Sequence, residues 1–313
     1  MSQALTIVMY HYIRDFARTR YPGIRGLDQA AFLRQLDYLS ANHTIVRMQD
    51  VIAAKRTGCA LPPNAALLTF DDAYAEHYDF VFPTLFDRGL QGSFFAPVAP
   101  VRDRALLDVN RIHFILAATL DHPARVSALL DARVQAAQAE WGLDTVAAYR
   151  AQWAQPNRFD DAETIYIKRM LQTVLPEALR NQIAQDLFAN FVGMDEAAFA
   201  AELYITEAQA KLMQSCGMYF GSHGASHYWL NRIPHDVQVR EVDQSLSFLR
   251  AIGSPVDDFW VMCYPYGGWN DDLLGVLRAH NCTLGLTTEV ATADLATHNA
   301  LTLPRYDTND FPR

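Results

Sequence analysis

The chain has 313 residues, half of them hydrophobic, and a formal net charge of −9. This length allows one large α/β domain with a sizeable core, or a core domain that carries an insertion. No run of Lys or Arg forms the basic stripe that nonspecific nucleic-acid binding requires, so nucleic acid is not an expected partner.

The sequence also bears on the compartment of the protein. No segment reaches the ~20 apolar residues of a transmembrane helix, and the N-terminus lacks the pattern of a signal peptide. The four cysteines form no CxxC pair and are interpreted as reduced thiols. We therefore expect a cytoplasmic protein, and its oligomeric state is left open.

Short apolar runs alternate with helical patterns over the first hundred residues. Four runs predict buried strands: residues 5–10, 44–46, 65–70 and 92–98. Phe32, Leu36 and Leu39 have the spacing of an amphipathic helix, and residues 80–88 also predict a helix.

The same alternation returns after residue 203. Thr206 and Gln209 have the spacing of a capping box, which predicts a helix that ends at Gly217. Further strands are predicted at 218–221, 259–264, 282–287 and 300–303, and further helices at 235–252 and 271–280. This order indicates βα units around a parallel sheet, either open or closed into a barrel.

The stretch between these two regions has a different composition. Residues 103–202 are rich in Ala, Leu and Gln and predict helices nearly throughout, with breaks at Pro176 and at residues 155–157. We interpret 103–202 as an all-helical insertion that caps the catalytic face of a core formed by 1–102 and 203–313. An oligomerisation surface is the alternative role.

Two adjacent carboxylates, Asp71 and Asp72, follow the apolar run at 65–70. In parallel α/β folds the carboxyl ends of strands are where active sites lie. Neighbouring strand residues point in opposite directions unless the chain turns, so one carboxylate can bind a metal while the other lies beside it. An Asp-rich turn that caps the next helix is the structural alternative.

His223 and His227 lie four residues apart, directly after another predicted strand. Imidazole suits zinc and its first-row neighbours, and this spacing lets both rings reach one ion. Two histidines and one carboxylate such as Asp72 leave coordination positions open for water and substrate.

Two further strand ends carry weaker signals. Residues 263–268, with Tyr266 at their centre, predict a sharp turn whose N–H groups can face an oxyanion, although a purely structural turn is the simpler interpretation. His11 ends the first predicted strand, where a lone histidine is more often structural than catalytic.

Together these features resemble the polysaccharide deacetylase family of carbohydrate esterases. Residues 69–72 are similar to its TFDD motif, 223–227 to its H-x-x-x-H motif and 264–267 to its P-Y-G motif, in the family's order. The opening at 9–11 resembles a circularly permuted branch with an N-terminal histidine. The resemblance covers 5–100 and 203–307, and it implies a distorted (β/α) barrel of about seven strands.

The resemblance also implies roles for the site residues. Asp72, His223 and His227 would bind one divalent ion, zinc first, with cobalt, nickel, iron or manganese as alternatives. Asp71 would be the base, His11 would protonate the departing amine, and the backbone N–H of Tyr266 would stabilise the oxyanion.

The chain departs from the family pattern at several positions. Ala73 stands where a Gly usually follows the paired Asp residues, and Cys263 stands where many members have the Arg that orients the catalytic Asp. The Asp-x-x-Asp-Trp motif is absent from the sequence. Arg305, after the last predicted strand, is a candidate to orient Asp71 instead.

The sequence thus predicts a metal-dependent hydrolase that removes an acetyl or formyl group from an amino sugar. The expected location favours a nucleotide- or lipid-linked sugar in surface polysaccharide biosynthesis. An inactive or weakly active carbohydrate-binding relative, and a hydrolase of a non-sugar amide, are the alternatives.

Overall fold

The computed structural model describes residues 3–156 and 160–312. The chain forms two compact units. The first comprises Met1–Asp15, Gly26–Ala105 and Ala200–Arg313, and the second comprises Phe16–Arg25 and Leu106–Phe199.

The first unit contains the strands. In chain order they are β1 (Ala4–Tyr10), β2 (Ile13–Arg14), β3 (Leu27–Asp28), β4 (Thr44–Ile45), β5 (Ala65–Asp71), β6 (Ser93–Ala96), β7 (Tyr219–Ser222), β8 (Val261–Cys263), β9 (Leu284–Leu286), β10 (Ala293–Asp294) and β11 (Tyr306–Asp307).

Seven of these strands make a curled mixed sheet in the order β10-β1-β5-β6-β7-β8-β9, in which only β10 runs antiparallel to its neighbour. The segment after β10 pairs with both ends of the parallel part. Leu303 bridges Leu286 of β9, and β11 pairs with Val8 and Met9 of β1. The predicted distorted barrel of about seven strands is confirmed.

The helices and helical turns follow in chain order. They are α1 (Gln29–Asn42), α2 (Met48–Thr57), a π-helical turn (His77–Val81), α3 (Phe82–Asp87), α4 (Val98–Arg102), α5 (Asp108–Ala118), α6 (Pro123–Trp141), α7 (Val146–Trp153), α8 (Ala162–Arg169), a π-helical turn (Met170–Val174), α9 (Glu177–Phe191), α10 (Glu196–Leu203), α11 (Glu207–Ser215), a 3₁₀ turn (Leu230–Arg232), α12 (His235–Ala251), a 3₁₀ turn (Pro265–Gly267), α13 (Asp271–Ala279) and a 3₁₀ turn (Thr308–Asp310). None of the helices in the described residues combines the length and the apolar character that crossing a membrane requires.

Every residue of β5 is buried, because both faces of this strand lie against apolar layers. Leu68 and Phe70 pack in the cluster that includes the helix residue Phe32, whereas Leu67 packs in a second cluster with Ile7. Because side chains alternate along a strand, Asp71 continues the face of Leu67.

An aromatic row crosses four neighbouring strands near their carboxyl ends. Tyr10, Phe70, Phe94 and Phe220 are partners in register, and their rings stack pairwise at 5.0, 4.9 and 5.5 Å. These contacts fix the strands that carry His11 and Asp71 one residue later.

The described residues of Leu106–Phe199, the larger part of the second unit, are mainly helical. Leu179, Ile183 and Leu187 form the buried stripe of α9, as their four-residue spacing predicts. The break expected at 155–157 falls partly on residue 157, which lies outside the described residues. The role of this unit as a cap on the catalytic face stays a prediction.

Most predicted elements of the first unit are observed within a few residues of their expected ends. The Thr206–Gln209 capping box is formed at the start of α11. The strand predicted at 300–303 is reduced to the single bridge at Leu303, and the regular pairing occurs at β11 instead. Leu303 lies between Pro304 and a segment whose backbone turns through residues 299–302, which limits its ladder.

Candidate active site

The chain turns sharply where β5 ends. Asp71 is the last residue of the strand, and both Asp72 and Ala73 adopt left-handed backbone conformations, with φ of 74° and 57°. This turn lets two consecutive carboxylates serve different neighbours. The left-handed conformation at position 73 also explains why glycine is favoured there, since a Cβ in this region adds strain.

Asp72, His223 and His227 come together as predicted. Asp72 Oδ1 lies 3.4 Å from Nε2 of His223 and 3.3 Å from Nε2 of His227, and all three side chains are buried. The histidines follow β7, which is separated from β5 by β6. The curl of the sheet brings the two strand ends to a common centre.

The geometry of this cluster fits a tetrahedral metal ion. Two ligand atoms each about 2.0–2.2 Å from a tetrahedral ion stand roughly 3.4 Å apart. The two separations at Asp72 Oδ1 match this value. That oxygen is buried and accepts no hydrogen bond from the described residues, so a cation is the partner its charge requires.

Neighbouring groups orient two of these ligands. Nδ1 of His223 lies 2.7 Å from the carbonyl oxygen of Cys263, which can only accept a hydrogen bond. His223 therefore carries its proton on Nδ1 and turns the lone pair of Nε2 toward Asp72. The hydroxyl of Tyr74 donates to Oδ2 of Asp72 at 2.7 Å, which leaves Oδ1 for the ion.

The pKa of Asp72 is set by opposing influences. Burial raises this pKa, but interactions with His223 and His227 in their protonated form outweigh burial, and the pKa lies well below its ordinary value. The group is therefore a carboxylate, the form that binds metal.

Asp71 is held by Arg305 in a bidentate ion pair. Nη2 of Arg305 lies 2.9 Å from Oδ2 and Nη1 lies 3.1 Å from Oδ1, and each side chain is only 1% exposed. Nε and Nη1 of Arg305 also donate to Thr287 O and Thr69 Oγ1, at 2.8 and 3.2 Å. These two hydrogen bonds therefore hold the guanidinium in the orientation in which it pairs with the carboxylate.

This pairing determines the protonation of Asp71. Burial raises its pKa, and the charge of Arg305, with smaller effects from His223 and His11, lowers it below the ordinary value. A carboxylate in this state can accept a proton.

His11 and Tyr266 lie beside the cluster. Nε2 of His11 is 3.8 Å from Oδ2 of Asp71, and its side chain is 40% exposed. Tyr266 has a left-handed backbone with φ of 57°, and its ring meets that of His227 edge-on at 4.7 Å. The structure therefore brings all seven predicted site residues into one region of the first unit.

Sequence reasoning missed several groups that contact this site. The thiol of Cys263 donates to Asp71 Oδ2 at 3.4 Å. Tyr74 holds Asp72, and Nε2 of the buried His77 donates to the carbonyl oxygen of His11 at 2.9 Å. Tyr74 lies two residues after Asp72, but only the left-handed turn explains why its hydroxyl reaches back.

Asp71, His223 and Cys263 form a second group of potential ligand atoms. Two of its members already have other partners, because Arg305 occupies both oxygens of Asp71 and Nδ1 of His223 donates to a backbone carbonyl. The centre around Asp72 is therefore the better candidate for an ion.

Comparisons with known proteins point to one family. The polysaccharide deacetylase family model matches residues 159–285. This range contains His223, His227 and Tyr266, whereas His11, Asp71 and Asp72 precede it. No curated protein matches the sequence.

Solved structures share the fold at low sequence identity. The deacetylase PplD of Streptococcus pyogenes, in complex with acetate, is 16% identical with a TM-score of 0.58, and the match covers 98% of this chain and 93% of that chain. IcaB from Ammonifex degensii is 16% identical with a TM-score of 0.56, over 97% and 91% of the two chains. The BpsB deacetylase domain from Bordetella bronchiseptica is 15% identical with a TM-score of 0.56, over 97% and 96%.

The family match and the shared fold confirm the resemblance that the motifs indicate. Residues 159–285 match the polysaccharide deacetylase family model, and the chain shares its fold with solved deacetylases.

Proposed function

We propose that the protein is a metal-dependent hydrolase that removes an N-acyl group, acetyl or formyl, from an amino sugar. The observation that carries this proposal is the convergence of Asp72, His223 and His227 beside the ion pair of Asp71 and Arg305. The family match and the deacetylases with the same fold support the amino-sugar substrate class.

Asp72, His223 and His227 would hold one divalent ion. A bound ion polarises the acyl oxygen and lowers the pKa of a coordinated water toward ~7. Zinc is the first choice, since two imidazoles and one carboxylate with open positions are a catalytic zinc set, and cobalt, nickel, iron and manganese are alternatives.

Asp71 and His11 each carry out one of the two proton transfers of the reaction. Asp71, an ionised carboxylate fixed by Arg305, accepts a proton from the water whose oxygen attacks the amide carbon. The backbone N–H of Tyr266 donates to the oxygen of the tetrahedral intermediate. As the carbon–nitrogen bond breaks, His11 donates a proton to the nitrogen, and the products are a carboxylic acid and a free amine.

The location of His11 supports this division. Its ring is exposed enough to meet a substrate, and its Nε2 lies 3.8 Å from Oδ2 of Asp71, a separation that supports an acid and a base acting on one substrate. Asp71 and Arg305, by contrast, are almost fully buried, so Asp71 keeps its orientation.

The test combines metal analysis with an amine-release assay. Metal-free protein is loaded with zinc or cobalt and incubated with N-acetyl and N-formyl nucleotide sugars, lipid-linked amino sugars and N-acetylglucosamine oligomers in separate reactions. We expect metal-dependent release of amine from at least one class, and loss of release in Asp71→Asn. Wild-type turnover in Asp71→Asn would remove Asp71 as the base.

The same assay, extended to cyclic amides, distinguishes the two alternatives. Bound metal without turnover of any N-acyl sugar would favour a carbohydrate-binding relative. Hydrolysis of cyclic amides but not of amino sugars would favour a non-sugar amidase.

A further inference from the structure

The loop that carries both histidine ligands is held by one helix of the barrel. Residues 222–227, here called the His loop, begin at the last residue of β7 and precede α12. Gly224 and His227 have left-handed backbones, with φ of 72° and 58°. A non-glycine residue such as His227 keeps this conformation only where its surroundings enforce it.

Glu241 of α12 supplies such a contact. Its Oε2 accepts hydrogen bonds from the backbone N–H groups of Ala225 and Ser226, at 2.7 and 2.8 Å. Both N–H groups lie between the two histidines, and the Glu241 side chain is buried. One oxygen thus binds two consecutive N–H groups of the loop, which fixes their relative orientation.

Ser245, one helical turn later, reinforces this arrangement. Its hydroxyl donates to Oγ of Ser222 at 2.7 Å, and that oxygen accepts the N–H of Gly224 at 3.2 Å. Glu241 and Ser245 lie four residues apart, so they occupy the same buried face of α12. Three consecutive N–H groups of the His loop are therefore bound, directly or through Ser222, by this face.

We infer that Glu241 is a positioning residue for the metal ligands. By binding Ala225 and Ser226 it holds the His loop in the conformation in which His223 and His227 both face Asp72. The inference rests on the metal site of the proposed function. It assigns to Glu241 no contact with the ion or with the substrate.

The test is a metal titration of the full-length protein. Metal-free protein is titrated with Co²⁺ alone, which reports binding through its visible absorption, and then with Zn²⁺ against a competing chelator. We expect Glu241→Ala to raise the dissociation constant about 10–100-fold, the usual effect of removing a group that orients a ligand. Glu241→Gln should bind nearly as wild type does, because its amide oxygen can accept the same two hydrogen bonds.

Gln238→Ala is the matched control. Gln238 is a buried polar residue of α12 whose Nε2 donates to the carbonyl oxygen of Leu230 at 2.8 Å, and Leu230 lies outside the His loop. Its removal should lower the resistance to urea without weakening metal binding. If Glu241→Ala does not fold, Glu241→Asp replaces it, because the shorter side chain cannot reach both N–H groups.

Each outcome has a defined meaning. Unchanged metal affinity in folded Glu241→Ala or Glu241→Asp would overturn the inference while the metal site stands. Equal weakening in Gln238→Ala would also overturn it, because the effect would then be general destabilisation. Wild-type protein that binds neither ion would overturn the proposed metal site and this inference with it.

Discussion

Replacing Arg305 by Met removes the cation from the buried ion pair but keeps a long side chain in its place. Asp71 would then be a buried carboxylate without its charged partner, although Cys263 still donates weakly to Oδ2. Breaking one side of a buried pair costs about 3–5 kcal/mol of unfolding free energy. Because both side chains are 1% exposed, solvent cannot replace the lost charge, and we expect a value in this range.

The effect on catalysis should be of comparable size. A positioned general base contributes about 10²–10⁴-fold to a hydrolysis rate. Arg305→Met leaves the carboxylate in place but frees its orientation, so we expect kcat to fall about 10²-fold or more. Amine release by the metal-loaded protein measures this loss, and urea unfolding measures the change in stability.

A double-mutant cycle with Asp71→Asn tests the reasoning. The double variant has neither buried charge, so it should be more stable than the sum of the two single effects predicts. In the Asp71→Asn background, Arg305→Met should have little further effect on kcat. Strictly additive losses in stability, or full turnover by Arg305→Met alone, would refute the role of Arg305.

Three other predictions concern neighbouring contacts. Tyr74→Phe removes the donor to Asp72 Oδ2 and should weaken Zn²⁺ binding about 10-fold or more in a chelator competition; an unchanged affinity would contradict this. Trp229 stacks on Tyr266 at 4.6 Å and 4°, so Trp229→Leu should lower kcat by up to about tenfold with KM unchanged, whereas Trp229→Phe should retain most activity. Burial lowers the pKa of His77 from 6.5 to about 4, so protonation of the unfolded chain destabilises the fold as pH falls through this window. Between pH 7 and pH 4 this group should lower the free energy of unfolding of the wild type by about 3 kcal/mol. In His77→Gln, urea unfolding at the two pH values should show a loss that is smaller by this amount.

The sequence predicts the strand ends of the site better than their surroundings. Runs of buried apolar residues followed by Asp72 and His223 predict polar groups at the carboxyl ends of parallel strands, and the structure brings these two side chains within 3.4 Å. Apolar periodicity is local, so it gives the elements and their order. The chemistry of metal ligation then restricts which residue types are worth considering.

The contacts that hold the site are harder to predict because they join distant parts of the chain. Glu241 and Ser245 interrupt the apolar stripe of α12, which is a signal that they are buried. Nothing in that pattern says that they bind the His loop. Tyr74 reaches Asp72 because residues 72 and 73 have left-handed backbones. A glycine at position 73 would have predicted this turn from the sequence, whereas Ala73 does not.

We expect the pairing of Arg305 with Asp71 to take the place of the missing motif residue. A buried carboxylate needs a cation at a particular point in space, and any strand that ends at the same rim of the barrel can supply it. β8 supplies Cys263, whose thiol is too weak a donor to offset a buried charge. The segment after β10, which pairs with both β9 and β1, supplies Arg305. The requirement belongs to the position of Asp71 in the fold and not to a place in the sequence. For that reason, a residue that replaces a missing motif residue lies beside the buried charge in the fold, whatever its place in the sequence.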